Sequence, residues 1–256
     1  MKLRNIAGFQ SFAILLLAAA IMLAVASCGK DSQKDKNSGK DENVTVKSVL
    51  LESKIDSLAI NMDQTVPYVE YSDTAAAKEL NKLMTSLMQE KIDEFLKIAT
   101  PPEEIKKWKT ETTNSFWSSF DVYSSKADLV SIRLNYNVFT AGSAHPSAHF
   151  IAVNYDLEQN KLLSLKDVFD NDNAYLEKTS DLVIGKLLKR DSISDIEWVK
   201  NGAEASEKNY SVFNLTDSSI VFTFEPYQVA AYAFGPQEVE INFDELSGLI
   251  KISSAK

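Results

Sequence analysis

The chain has 256 residues, 45% of them hydrophobic and 25% charged, the proportions of an ordinary globular protein. Eight glycines, six prolines and no repeat of fixed period exclude a collagen-like chain and a solenoid. A formal charge of -9 and a pI near 4.9 exclude a general nucleic-acid binder, which needs a basic face to displace phosphate counterions, and favour basic or neutral partners.

Lys2 and Arg4 precede an uninterrupted apolar run of fourteen residues, Phe12 to Val25, and then the small residues Ala26 and Ser27. This order is that of a secretory signal peptide over residues 1–27, too short for a spanning helix. Val25-Ala26-Ser27-Cys28 resembles a bacterial lipobox. The resemblance implies cleavage before Cys28, acylation of that residue, and attachment of the mature protein to the bilayer on the extracytoplasmic side of a bacterial membrane. Two or three acyl chains hold far more firmly than one, since each buried methylene contributes about 0.8 kcal/mol.

Cys28 is the only cysteine, so its lipidation leaves no thiol for a disulfide, a zinc cluster or a nucleophile. Loss of Lys2 and Arg4 with the signal leaves 25 basic against 36 acidic residues, a net charge of -11. Residues 28–43 form a lipidated, flexible tether, because GKDSQKDKNSGKDEN after Cys28 contains no aliphatic or aromatic residue with which to build a core. Gly29 stands where an aspartate would resemble the inner-membrane retention signal of some Gram-negative bacteria, so an outer-membrane or surface location is permitted.

Val44 to Leu58 alternates loosely, and Ile60 to Tyr71 reads as extended with Pro67 marking an edge or bulge; both are expected to be edge strands. Ser72 or Asp73 then caps an amphipathic helix of about seven turns, in which Leu80, Met84, Leu87, Ile92, Phe95 and Ala99 recur at helical spacing until Pro101-Pro102 stops it. That stripe is expected to pack on a sheet. Phe116 to Tyr123, Val130 to Val138, Phe150 to Leu157 and Leu162 to Leu165 follow as strands of an antiparallel meander. Asp172 or Asn173 begins a second helix with Leu176, Val183, Leu187 and Leu188 inward. Val212 to Leu215 and Ile220 to Phe224 flank a polar hairpin turn, and Gln237 to Phe243 is a last strand before a short helix. The expected class is α+β, a mostly antiparallel sheet with two principal helices and two closely packed subdomains.

Three separated stretches, FTAGSAHP at 139–146, NYDLEQNKLLSLKDVF at 154–169 and FTFEPYQVAAYAFGPQEVEI at 222–241, resemble the paired extracytoplasmic domains of unknown function found in a lysozyme-sensing anti-sigma factor and in some peptidoglycan deacetylases. The resemblance implies a first domain over 44–142 and a second over 143–256. Neither the cytoplasmic anti-sigma segment nor the deacetylase domain of those relatives is expected here, so neither direct sigma-factor binding nor deacetylation is carried over.

His145 and His149 are the only histidines. In an extended chain their four-residue interval spans about 13 Å, too far for one metal ion, and no metal site or cofactor is expected. A hydrolase using His145 is the alternative function; it needs a nucleophile and an orienting acid, which Ser143, Ser147, Asp156 and Asp167 supply only without any motif. The structural reading is that Gly142 and Pro146 shape a loop in which His145 satisfies a backbone group. No G-x-S-x-G, H-E-x-x-H or P-loop pattern is present. Asp170, Asp172 and Asp191 lack EF-hand spacing and read as solvated surface.

Tyr227, Tyr232 and Phe234 cluster around Pro226, Gly235 and Pro236, either as rigid contacts for a protein or glycan or as core at a strand crossover, the core reading weighing more for any single ring. The sequence therefore points to a lipid-anchored cell-envelope binding module without its own catalysis. Its expected ligand is a basic envelope protein such as lysozyme or a peptidoglycan glycan, with Ser143, His145, Pro146, Tyr227 and Tyr232 as candidate binding residues.

Overall fold

The structure, a computed structural model, describes residues 44–108, 112–170, 174–191, 193 and 195–251. The expected signal peptide, its expected acylation site Cys28, the expected tether and the expected helix start at Asp172 or Asn173 lie outside the described residues. The class is α+β, with mostly antiparallel sheets. The larger sheet has the strand order β1-β2-β3-β4-β5-β6 and the smaller one β7-β8-β9. The strands are β1 (Thr45–Ile55), β2 (Ile60–Glu70), β3 (Asn114–Ser125), β4 (Val130–Phe139), β5 (Ser147–Asp156), β6 (Lys161–Leu162), β7 (Phe213–Leu215), β8 (Ser219–Phe224) and β9 (Gln237–Asn242).

Contacts divide the chain into two compact units, residues 44–118 with 138–146 and residues 119–137 with 147–251. The expected domain break at 142/143 falls inside the 138–146 segment. In the first unit β1 and β2 form a long antiparallel hairpin, from Thr45 opposite Glu70 to Ile55 opposite Ile60. Only β1 is an edge. β2 also pairs in parallel with β3, from Ile60 opposite Asn114 to Gln64 opposite Ser118, which corrects the expectation that both strands are edges. A parallel pair needs a long crossover, and the helix α1 (Thr74–Ile98) supplies it.

Asp73 caps α1, accepting from the Ala75 and Ala76 N–H groups at 3.0 and 3.3 Å. Ala76, Ala77, Leu80, Met84, Met88, Ile92 and Phe95 form its buried stripe. Met88 takes the inward place expected of Leu87, which is half-buried. Burying each large side chain contributes about 1.5–3 kcal/mol, so α1 is held chiefly by this face. Pro101-Pro102 ends α1 and also begins α2 (Pro102–Lys107), where Pro102 fits the first turn because no intrahelical N–H bond is needed there.

Asn114 joins three segments of this unit. Its Oδ1 accepts from the N–H groups of Thr100 (2.9 Å) and Ala141 (3.0 Å), and its Nδ2 donates to the carbonyls of Thr100 (2.9 Å) and Ala59 (3.3 Å). All four bonding positions of the amide are thereby used on a fully buried residue.

The second unit packs α3 (Leu165–Val168), α4 (Ala174–Leu187) and α5 (Ile196–Gly202) with the antiparallel β7-β8-β9 sheet. Tyr175, Thr179, Ser180, Val183 and Leu187 are the buried residues of α4, while the expected Leu176 and Leu188 are partly buried against the same core. At the centre, the fully buried Tyr210 donates its hydroxyl to the Ala203 carbonyl at 2.7 Å and meets Phe222 and Phe224 edge-on. Ser131 and Asn154 lock β4 and β5 to β7: Ser131 donates to Asn154 at 2.7 Å, Asn154 donates to the Phe213 carbonyl at 2.8 Å, and both accept from the Leu215 N–H.

Candidate functional site

β8 runs out of the second unit's core at Phe224 and is followed by a loop whose backbone is closed by hydrogen bonds. The Gln228 N–H donates to the Glu225 carbonyl at 3.0 Å and the Tyr227 N–H to the Ala230 carbonyl at 3.1 Å. The Gln228 side chain fixes the loop from inside, accepting from the Glu225 N–H (3.2 Å) and donating to the carbonyls of Gly202 and Asn209 (both 3.1 Å). Val229 and Ala230 are buried anchors. α5 approaches so closely that a Cβ on Gly202 would lie 1.8 Å from the Gln228 carbonyl oxygen, so only glycine fits.

This clamp holds Tyr227 at φ 71° with 53% of its surface exposed. A bulky residue in the left-handed region is an outlier sustained by surrounding structure. Here the support is explicit, since the indole Nε1 of Trp198 donates to the Tyr227 carbonyl at 2.9 Å. The chain then turns through a short 3-10 segment, Tyr232–Phe234, and Gly235 at φ 66°. Gln237 ties this turn down by donating to the Phe234 carbonyl at 2.8 Å, and Arg190 donates to Gln237 at 2.7 Å. The Tyr227 and Tyr232 rings come within 5.7 Å, tilted by 31°. Phe234 is 49% exposed, so Tyr227 and Phe234 are surface rings, which corrects the expectation that they are core at a strand crossover.

Beside the start of this loop, Glu225 accepts from the Phe150 N–H (3.4 Å) and lies 3.2 Å from His149 Nδ1, whose ring stacks on Tyr136 at 5.1 Å. Deeper in the same unit Arg133, only 7% exposed, donates to Asp121 (2.8 Å), Glu238 (2.5 Å), Thr223 (2.8 Å) and Asn135 (2.9 Å) and lies over the rings of Tyr123 and Phe150. Burial pushes the Tyr123 hydroxyl up to about 12 against the opposing effect of Arg133, with Glu238 and Asp121 adding to the rise. With four of its five N–H groups bonded within the unit, the guanidinium is a cross-brace rather than a ligand contact.

The candidate residues Ser143, His145 and Pro146 belong to the first unit and Tyr227 and Tyr232 to the second. Ser143 is exposed, its hydroxyl 2.7 Å from that of Thr140, in a turn where Gly142 adopts φ 93° and a Cβ would meet the Trp108 ring at 2.8 Å. His145 Nδ1 is 3.0 Å from the Pro146 carbonyl, so the ring is oriented by the adjoining backbone. Among the described residues, no three His, Cys, Asp or Glu side chains gather as a metal site. Asp170 and Asp191 are exposed, and Asp172 lies outside the described residues. The sequence reading missed Trp198, Gln228 and the His149–Glu225 pair; the Asp195 cap before Ile196 was the one local signal for α5, which carries Trp198.

Residues 166–244 match the family described as "Protein of unknown function (DUF3298)". A stretch of 111 residues, 43% of the chain, is 32% identical to the peptidoglycan-N-acetylmuramic acid deacetylase PdaC of Bacillus subtilis (strain 168), and spans 24% of that protein's length. Two crystal structures share the fold. A member of the same family from Bacteroides fragilis superposes with a TM-score of 0.63 at 18% identity, covering 83% of this chain and 96% of that one. Another from Pseudomonas aeruginosa PAO1 gives 0.56 at 17% identity, covering 84% and 98%.

Proposed function

We propose that this protein is an extracytoplasmic binding module of the cell envelope, anchored through acylated Cys28 and without catalysis of its own, whose Tyr227 and Tyr232 receive a peptidoglycan glycan. The observation that carries the reading is Tyr227. A tyrosine fixed at φ 71° by a clamp of Gln228, Gly202 and Trp198 is costly to maintain for packing alone, because about half of its surface is left open to solvent. With the half-buried Tyr232 beside it, Tyr227 offers a flat apolar face with a hydroxyl rim, and little conformational entropy is lost on contact because the backbone beneath the pair is already fixed. Similarity to part of a deacetylase of peptidoglycan supports placement in the envelope.

The test uses the polypeptide from Gly29 to Lys256 and purified insoluble peptidoglycan. Saturable co-sedimentation is expected, and Tyr227→Ala or Tyr232→Ala should each weaken it about tenfold, the scale of an aromatic anchor in an interface. Absence of saturable binding overturns the glycan reading. The net charge of -11 from Gly29 to Lys256 favours a second ligand, a basic envelope protein, for which lysozyme is the probe. That attraction should weaken steeply with salt, and a tyrosine-dependent remainder at 0.15 M, where the Debye length is about 8 Å, is required for it to be specific. For the anchor, Cys28→Ala should move the full chain out of the lipidated membrane fraction; an unmodified Cys28 on an intact N-terminus in the mass spectrum would end that part of the proposal.

A further inference from the structure

The first unit contains a cleft that the glycan reading does not use. It lies between the end of β2 and the first turns of α1, has a volume of about 500 Å³, and is lined by Tyr68, Glu70, Tyr71, Lys78, Asn81 and Lys82 among others. That volume falls within the range of small-molecule sites.

The cleft exists because of how β2 ends. Asn81 accepts from the Val69 N–H and donates to the Val69 carbonyl, both at 2.8 Å, satisfying the groups that a neighbouring strand would otherwise take. Since Val69 points its polar groups away from β1, alternation directs those of Pro67 the same way, and proline has no N–H to leave unpaired. The described pairing with β3 stops at Gln64, and at Val69 the side-chain amide of Asn81 on α1 takes the place of a strand partner. Tyr68 and Tyr71 are left half-buried at the opening.

The polar groups of the cleft divide cleanly. Asn81 is occupied by Val69, Thr85 donates its hydroxyl to the Asn81 carbonyl at 2.8 Å, and Glu70 is paired with Lys47 at 2.7 Å. Lys78 and Lys82, one helical turn apart and both exposed, have no carboxylate partner among the described residues. In a chain with 36 acidic residues and 27 basic ones, two adjacent lysines without partners at the rim of a tyrosine-lined cleft form a local positive site.

We propose that this cleft binds a small organic anion: an aromatic or apolar body lying against Tyr68 and Tyr71, with a carboxylate or sulfonate reaching Lys78 and Lys82. The apolar lining provides most of the contact, and the lysine pair selects the anion over a neutral molecule of the same shape.

The probe is anilinonaphthalene sulfonate, with N-phenylnaphthylamine as a neutral body of nearly the same shape, each titrated by fluorescence into the polypeptide from Gly29 to Lys256. The sulfonate should bind saturably at one site. The double variant Lys78→Ala/Lys82→Ala should weaken it about tenfold, as expected for two exposed ion pairs, while Lys78→Arg/Lys82→Arg retains it. Tyr71→Ala should weaken both probes, and Tyr227→Ala neither, which separates this cleft from the glycan surface. Lys78 and Lys82 are exposed helix positions, so unchanged circular dichroism of the variants is the control for folding. The proposal is overturned if the sulfonate fails to bind, or if lysine removal leaves its affinity within about twofold of the starting value.

Discussion

Substituting Tyr227 separately by alanine and by glycine isolates the backbone strain at the candidate site. Both variants delete the ring, and both keep the loop's main-chain bonds, because the N–H to Ala230 and the carbonyl that accepts from Trp198 belong to the backbone. What differs is the tolerance of φ 71°. Alanine in the left-handed region costs about 1–2 kcal/mol, and glycine adopts it freely. Against this, glycine loses about 0.4–1 kcal/mol more chain entropy on folding. The balance places Tyr227→Gly about 1 kcal/mol above Tyr227→Ala in stability, the reverse of the order at a residue with ordinary φ. For a chain of this size that difference is about 2–4 °C in Tm. Urea titration followed by the fluorescence of the neighbouring tryptophan measures it, and peptidoglycan co-sedimentation of the same variants should show equal loss for both. An alanine variant more stable than the glycine variant would refute the argument that Tyr227 is held against its preference, and with it the structural ground for the glycan reading.

Asn114→Ala leaves the Thr100 and Ala141 N–H groups without an acceptor; at about 1–3 kcal/mol for each unsatisfied group, the first unit should lose about 2–6 kcal/mol, and hydrogen exchange should show both amides deprotected. Gly202→Ala drives a Cβ into the Gln228 carbonyl, so it should cost about 1–3 kcal/mol and weaken glycan retention without touching a ring, read by urea titration and co-sedimentation. Asp167 should titrate near 2 by carbon-13 NMR: partial burial raises its pKa, but hydrogen bonds from Lys161 and from the Ser164 hydroxyl and N–H outweigh that effect and lower it to about 2. Because the folded state binds this proton less readily than the unfolded one, the contribution to stability is full above the ordinary value of 3.8 and is lost as pH falls through about 2; a midpoint at the ordinary value would contradict the capping geometry.

Elements with a strong local period were legible from the residues themselves. The stripe from Leu80 to Phe95 names its own helix and buried face, and Asp73 with Pro101 marks its limits, because these signals lie within one turn of the structure they specify. The hairpin at Thr216–Ser219 is read the same way. The parallel pairing of β2 with β3 was not legible, since strand alternation states which face is buried but not which strand lies alongside; α1 decides that by returning the chain to the same edge. Clustered loop residues pointed to Tyr227 and Tyr232, yet their exposure depends on distant groups. Gly202 and Asn209 must accept from Gln228, Trp198 must reach the Tyr227 carbonyl, and Arg133 must meet Glu238 across 105 residues of sequence. Composition and period thus determine an acidic α+β chain with a single cysteine. Which rings face solvent, and which lysines stay without a carboxylate, are decided by tertiary structure, because hydrogen bonds and ion pairs are set by proximity in space, and proximity between distant segments exists only once the core has closed.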